Sequence, residues 1–190
     1  RIDEMERRCR GESYEEIAAA GGGIAFSARQ MGIVDQDELV RSSLPRLDDL
    51  MQKGTTTCEI KSGYGLEPQA ELKQLRAINA LQAQHPIDIK ATLLAHIVPG
   101  SFKAKRSEYL QTFFDDILAQ AVTQNLAHYC DIFVEEGAFS SREARLIAKH
   151  AKTFGLGLKL HVDQLTSGQG AELAAELGAL SADHLERISH

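Results

Sequence analysis

The sequence predicts an α/β protein built on a parallel sheet, and two observations support this. From Gly54 onward, five short segments with strand-like composition alternate with four segments that have helical spacing. Consecutive βα units of this kind form parallel sheets. Polar side chains also cluster directly after the strand segments. We therefore predict a single domain over 1–190, with a helical lead-in over 1–53 and βα repeats over 54–190.

The elements follow from local pattern. In the lead-in, Ser13 is a helix cap, Gly21–Gly23 end that helix, and a second polar helix covers 36–53. Strands are predicted at Thr55–Ile60, Ile87–Ala95, Asp131–Val134, Gly157–His161 and Leu180–His184. Helices are predicted at Pro68–Ala83, Ser107–Asn125, Ser141–Thr153 and Gly170–Leu177.

Two architectures fit five consecutive βα units: an open doubly wound sheet, or part of a (β/α)8 barrel. No GxGxxG or GxxxxGK[ST] loop follows any predicted strand, which disfavours a nucleotide-binding sheet. A complete barrel needs about 250 residues and eight units. With 190 residues, a barrel would be incomplete.

Composition excludes several classes of protein. The chain is 43% apolar and 25% charged, which is typical of globular proteins and not of disordered or fibrous ones. No apolar run approaches the ~20 residues that span a bilayer, so no membrane partner is expected. The net charge of −6 argues against nucleic-acid binding. Cys9, Cys58 and Cys130 are scattered without a CxxC pair, which favours structural thiols in a reducing cytoplasm.

Residues with catalytic chemistry follow the predicted strands. Tyr64 follows the first strand, His96 the second, Glu135 the third, His161 and Gln164 the fourth, and Asp183-His184 the fifth. In a barrel these strand ends converge on the face that carries active sites. Several strand-end histidines on one face are typical of a mononuclear metal hydrolase.

Each of these residues also has a structural interpretation. A strand-end histidine is often only hydrogen-bonded, and Tyr64 lies between glycines as a turn tyrosine would. Glu135 and Glu136 fit a helix cap or a solvated turn, and Asp183 fits a residue that orients His184 or a backbone amide.

Several motifs together resemble one family. They are Gly54-Thr-Thr-Thr-Cys-Glu-Ile-Lys-Ser-Gly-Tyr-Gly-Leu66, Leu93-Leu-Ala-His-Ile-Val-Pro99, Asp131-Ile-Phe-Val-Glu-Glu-Gly-Ala-Phe-Ser140, Leu158-Lys-Leu-His-Val-Asp-Gln164 and Gly178-Ala-Leu-Ser-Ala-Asp-His-Leu-Glu186. With Arg1, Gly11-Glu-Ser-Tyr14 and Gly21-Gly-Gly-Ile24 they resemble imidazolonepropionases of the amidohydrolase superfamily. The resemblance covers essentially the whole chain.

The resemblance implies a (β/α)8 barrel of the metal-dependent hydrolase type and one zinc or iron ion. It implies hydrolysis of the ring amide of 4-imidazolone-5-propanoate to N-formimidoyl-L-glutamate in histidine catabolism. By position, His161 resembles a metal ligand, and His184 the residue that handles the proton of the attacking water. Gln164 resembles a catalytic-site residue that contacts the substrate ring. Substrate contacts are implied for Arg1, Tyr14, Tyr64 and His96, with Arg1 on the propanoate carboxylate.

Parts of the family pattern are absent from the sequence. The His-x-His metal pair belongs just before the position of Arg1, and the last-strand aspartate belongs beyond His190. We therefore expect a central barrel segment of about five units, without the first and last strands and the small β-sandwich, in which His161 alone cannot hold the ion. The resemblance also suggests a homodimer. The alternatives are a related cyclic amidohydrolase or deaminase, or a catalytically incomplete fragment.

Overall fold

Five parallel strands form a curled sheet in the order of the sequence. The computed structural model describes residues 2–13, 16–17 and 20–189. The strands are β1 Thr57–Lys61, β2 Asp88–Ala95, β3 Tyr129–Val134, β4 Gly157–Val162 and β5 Ser181–His184. Each strand pairs in parallel with the next, giving the order β1-β2-β3-β4-β5. A doubly wound sheet reverses its strand order at a switch point. The uninterrupted order is that of a barrel, and it confirms the predicted incomplete (β/α)8 barrel.

The helices between the strands lie where they were predicted, and the differences lie in the lead-in and after β2. They are α1 Ile2–Cys9, α2 Gly23–Ile33, α3 Gln36–Gln52, α4 Pro68–Gln84, α5 Arg106–Thr112, α6 Ala119–Thr123, α7 Ser141–Thr153 and α8 Gly170–Glu176. Helices α1 and α2 were not predicted, the latter because Gly21–Gly23 mark a helix end and Gly23 also begins the next helix. The helix predicted between Ser13 and Gly21 falls largely outside the described residues. The predicted helix Ser107–Asn125 is α5 and α6 joined by a π-helical segment, Phe113–Leu118.

The two faces of the sheet differ in chemistry because side chains alternate along each strand. One face is apolar and packs against the helices. On β2 it presents Ile89, Ala91 and Leu93, which pack in the same core as Leu72 and Leu75 of α4. The other face carries polar and charged side chains and forms the interior of the half-barrel. Burial of the apolar face at about 25 cal/mol per Å² stabilises the sheet, and the polar face is left for chemistry.

No helix in the described part of the chain has both the length and the apolar composition to cross a bilayer.

A capping box at the start of α7 is coupled to an ion pair with α5. The Ser140 side chain accepts the N–H of Glu143, and Glu143 accepts the Ser140 N–H in return. The Arg106 guanidinium donates to both carboxylate oxygens of Glu143, at 2.7 Å each. The hydrogen bonds from Arg106 lower the pKa of Glu143 to about 2 against the opposing effect of burial. The first turn of α7 is therefore tied to α5 by a charged group.

We predict a pH-dependent contribution of Glu143 to stability. The pKa of this carboxyl is depressed in the folded state, so its contribution is complete above its ordinary pKa of 4.5 and is lost as the pH falls towards about 2. Glu143→Gln should lower the free energy of unfolding by about 1–2 kcal/mol at pH 7, and by progressively less below pH ~4.5. Urea unfolding of both proteins at pH 7 and at pH 3 measures the difference in the free energy of unfolding.

Glu176→Gln is the matched control, because Glu176 forms an exposed bidentate pair with Arg145. Exposed pairs contribute little, so its effect should be smaller. A Glu143→Gln deficit that is the same at pH 7 and pH 3 would contradict the prediction.

Candidate active site

A cavity lies where the carboxyl ends of the strands meet. It has a volume of about 310 Å³, and its lining includes five of the predicted site residues, Tyr64, His96, His161, Gln164 and His184. Arg1 and Tyr14, the other two, lie outside the described residues. These five strand-end side chains are therefore brought together on one face of the half-barrel.

His161 is held by a buried carboxylate beneath the cavity. Its Nδ1 lies 3.0 Å from Oδ1 of Asp131, and Asp131 is fully buried in the middle of β3. A carboxylate accepts hydrogen bonds, so Nδ1 carries the proton and the lone pair of the neutral ring is on Nε2. This pairing is the usual way in which proteins orient a histidine that ligates a metal.

Lys61 of β1 compensates the charge of Asp131. Its ammonium lies 2.5 Å from Oδ2 of Asp131 and 3.2 Å from Glu59. Burial disfavours the charged form of Asp131, but the bonds from His161 and Lys61 outweigh it, so the pKa of Asp131 is lowered. Burial likewise opposes the charge on Lys61, and the Asp131 carboxylate reverses this, so the pKa of Lys61 is raised. Both groups are ionised at neutral pH.

Asp183 faces His161 rather than His184. Its Oδ2 is 3.8 Å from Nε2 of His161 and 3.5 Å from the ammonium of Lys61. Asp131, His161 and Asp183 each offer one ligand atom within 4.8 Å of the others, which makes them a possible metal-binding group. Both oxygens of Asp131 already accept hydrogen bonds, one from Lys61 and one from His161. The groups left to bind an ion are therefore Nε2 of His161 and the carboxylate of Asp183.

His184 reaches the cavity because the backbone turns at the end of β5. Alternation along β5 would put its side chain on the face opposite Asp183. Instead His184 has φ +80° and Leu185 has φ +67°, a left-handed conformation that is uncommon for these residues. The His184 and His161 rings then lie 5.2 Å apart between centroids. The Nδ1 of His184 lies 3.2 Å from the Glu186 carboxylate.

Tyr64 and His96 form the opposite side of the cavity. Their rings meet edge to face, with centroids 5.0 Å apart. The Nδ1 of His96 lies 3.0 Å from the carbonyl oxygen of Gly63, which can only accept, so Nδ1 carries a proton. Burial lowers the pKa of His96, and the bond to Gly63 only partly offsets it. His96 is therefore neutral at neutral pH.

The two loops that carry Tyr64 and Gln164 are each bound by a buried carboxylate. Glu71 of α4 accepts the backbone N–H groups of Gly63, Gly65 and Leu66 at 2.7–2.8 Å. Glu135, after β3, accepts the N–H groups of Leu165 and Thr166 and the Thr166 hydroxyl. Glu135 thus binds the following active-site loop, and neither caps α7 nor faces solvent.

Lys61, Asp131 and Glu71 were missed as contributors to the site. The sequence does carry a signal for them. Glu59, Lys61, Asp131 and Lys159 interrupt apolar strands at alternate positions, which marks a polar interior face. Glu71 precedes Leu75 and Ile78 by four and seven residues, so it lies on the apolar face of α4, where a charge requires a partner.

The fold and the site define the class of the molecule. The described sheet is part of a (β/α)8 barrel with polar residues at the carboxyl ends of its strands. Among solved structures, an adenine deaminase from Arthrobacter aurescens superimposes with a TM-score of 0.59 at 16% identity, covering 85% of this chain and 49% of that one. At this identity the match concerns the fold alone.

The sequence similarity is more specific. Over all of its length the chain is 46% identical to an imidazolonepropionase of Clostridium tetani and 45% identical to one of Myxococcus xanthus. The resemblance to imidazolonepropionases is therefore confirmed. The chain spans about half the length of these curated relatives, 45% of each. No family model matches it.

We predict that Lys61 is required to keep Asp131 charged in the folded protein. Lys61→Met should destabilise it by roughly 3 kcal/mol, because it leaves a buried carboxylate without its cation. Unfolding by urea at pH 7 measures the loss.

Lys53→Met is the control, because Lys53 pairs with Asp49 at 2.6 Å on an exposed surface. Its expected effect is within about 0.5 kcal/mol. Equal effects of the two substitutions would show that Asp131 does not depend on Lys61.

Proposed function

We propose that the intact protein containing this chain hydrolyses the ring amide of 4-imidazolone-5-propanoate to N-formimidoyl-L-glutamate, a step of histidine catabolism. The observation that carries the proposal is the similarity to imidazolonepropionases over the whole chain, together with the convergence of the matching strand-end residues on one cavity. Water supplies a hydroxyl to the carbonyl carbon and a proton to the ring nitrogen as the C–N bond breaks.

The donor set fits a divalent ion of the zinc or iron type. His161 would bind it through Nε2, since Nδ1 is engaged by Asp131, and Asp183 is the neighbouring carboxylate. Imidazole and carboxylate are the ligands that such ions take in hydrolytic sites. These two donors are fewer than a complete set, so further ligands come from elsewhere in the intact protein. When bound, the ion lowers the pKa of a water and polarises the carbonyl.

The residues of this chain divide the remaining tasks. His184, beside His161, exchanges protons with the attacking water and the leaving nitrogen. Gln164 hydrogen-bonds the substrate ring but cannot act as a base, since an amide does not titrate. Tyr64 and His96 hold the ring from the opposite wall, and Arg1 and Tyr14 bind the propanoate side. A planar guanidinium suits a carboxylate because it donates two parallel hydrogen bonds.

Assembly and location complete the proposal. We propose a homodimer, which sedimentation of the intact protein tests directly by its mass. We also propose a cytoplasmic location, supported by Cys9, Cys58 and Cys130, which are all free thiols.

One prediction of this proposal concerns the substrate. The intact protein, supplied with zinc or iron, should consume 4-imidazolone-5-propanoate, measured by loss of its ultraviolet absorbance. Arg1→Ala should raise KM with a smaller effect on kcat, because it removes contacts to a part of the substrate that does not react. Consumption of another cyclic amide or of an aminopurine in place of the imidazolone would favour a related amidohydrolase or deaminase.

Another prediction of this proposal concerns the metal. His161→Ala should abolish both metal content and activity, whereas Asp131→Asn should weaken metal affinity by about 10–100-fold, because it replaces the charged acceptor that orients His161 by a neutral amide. Metal bound per protein at increasing chelator concentration measures both. His85→Gln is the control, since His85 pairs with Asp48 away from the cavity and should leave the metal content unchanged. An active His161→Ala protein with bound metal would overturn the ligand assignment.

A further inference from the structure

The loop between β1 and α4 is organised around one buried side chain. Oε2 of Glu71 accepts the N–H of Gly63 at 2.8 Å, and Oε1 accepts those of Gly65 and Leu66 at 2.7 Å each. The Glu71 residue is 2% exposed. Three backbone N–H groups, one before Tyr64 and two after it, therefore converge on a single carboxylate from the following helix.

The conformation of this loop requires such a partner. Gly63 has φ +95° and Leu66 has φ +63°, both in the left-handed region, which is uncommon for leucine. A Cβ on Gly65 would lie 2.5 Å from backbone atoms of Ala70 and Glu71, so the loop is pressed directly onto the start of α4. Backbone in this conformation persists only where its surroundings fix it.

The same loop also fixes His96. The carbonyl of Gly63 is the partner of the His96 Nδ1, and the Tyr64 ring is in edge contact with the His96 ring. One peptide segment thus sets the position of Tyr64 and both the orientation and the tautomer of His96. Glu71 itself does not line the cavity. It can affect a ligand only through the residues that the loop positions.

We infer that Glu71 is a positioning residue that sets the geometry of Tyr64 and His96 at the cavity wall. The inference deepens the proposed function and rests on it for the statement that these two residues contact substrate. A side chain with two acceptor oxygens suits this role, since both oxygens of Glu71 accept backbone N–H groups. Burial raises the pKa of the Glu71 carboxyl, and these hydrogen bonds oppose that effect by favouring the charged form. Gly63, Gly65 and Leu66 lie within the four residues that carry Tyr64, so their displacement moves the phenol directly.

The test is Glu71→Gln in the intact protein, which keeps the size of the side chain and replaces one acceptor oxygen by a donor. We expect amide hydrogen exchange at Gly63, Gly65 and Leu66 to accelerate about tenfold or more. We also expect the ¹⁵N resonances of the His96 ring to shift. KM for the imidazolone should rise about tenfold, with metal content unchanged, because binding contacts are loosened and His161 is not.

Two further variants separate positioning from a general loss of folding. Tyr109→Phe removes only the hydroxyl that donates to the Leu66 carbonyl at 3.2 Å, so it should loosen the same loop in the same direction and to a smaller extent. It serves as the test if Glu71→Gln does not fold. Glu135→Gln is the matched control, since Glu135 binds the neighbouring loop and should leave both the exchange at 63–66 and the His96 resonances unchanged.

The outcomes are distinguishable. Unchanged exchange and unchanged His96 resonances in Glu71→Gln would overturn the inference, and so would a loosened loop with an unaltered KM. If the intact protein ignores the imidazolone, the proposed function fails. Exchange and the His96 resonances then still decide whether Glu71 positions Tyr64 and His96.

Discussion

The fully buried carboxylate of Asp131 is the group on which the site depends. It lies in the middle of β3, where a lone charge would cost several kcal/mol. The ammonium of Lys61 from β1 and the imidazole of His161 from β4 offset that cost, because each donates a hydrogen bond to Asp131. One side chain therefore connects three strands. Removal of Asp131 or of Lys61 therefore changes both the stability of the half-barrel and the orientation of His161.

The interior face extends this arrangement. Glu59 accepts from the Thr92 hydroxyl and pairs with Lys159 at 3.0 Å, so alternating charges cross from strand to strand below the cavity. Such a network is stable only when every member has its partner. Within the described residues, Ser181 Oγ is the buried side-chain atom without a hydrogen-bond partner. The charged side chains on the floor of the cavity are thereby paired with one another, and the loops above it are bound by Glu71 and Glu135.

Much of the fold could be predicted from the sequence, because local patterns decide it. Each predicted strand overlaps the observed one, and Pro68 and Ser140 mark the starts of α4 and α7 as their chemistry suggests. The partners inside the barrel could not be predicted. Lys61 and Asp131 are 70 residues apart, and their contact follows from strand order and register, which no local pattern specifies. The buried position of Glu71 was not predicted either, since a glutamate in a helix is ordinarily a solvated residue.

His184 shows where strand alternation ceases to decide the direction of a side chain. The rule of period two places it with Ala182 on the helix-facing side, away from Asp183. The left-handed backbone at His184 and Leu185 breaks the period at the last residue of β5. The Leu185 N–H bonds to the Val162 carbonyl at 3.1 Å and the Arg187 N–H to the Asp163 carbonyl at 2.8 Å, which fix the turn against β4. Strain of this kind persists where neighbouring structure compensates it. Here the compensation brings the His184 imidazole beside His161, a placement that a regular strand would not allow.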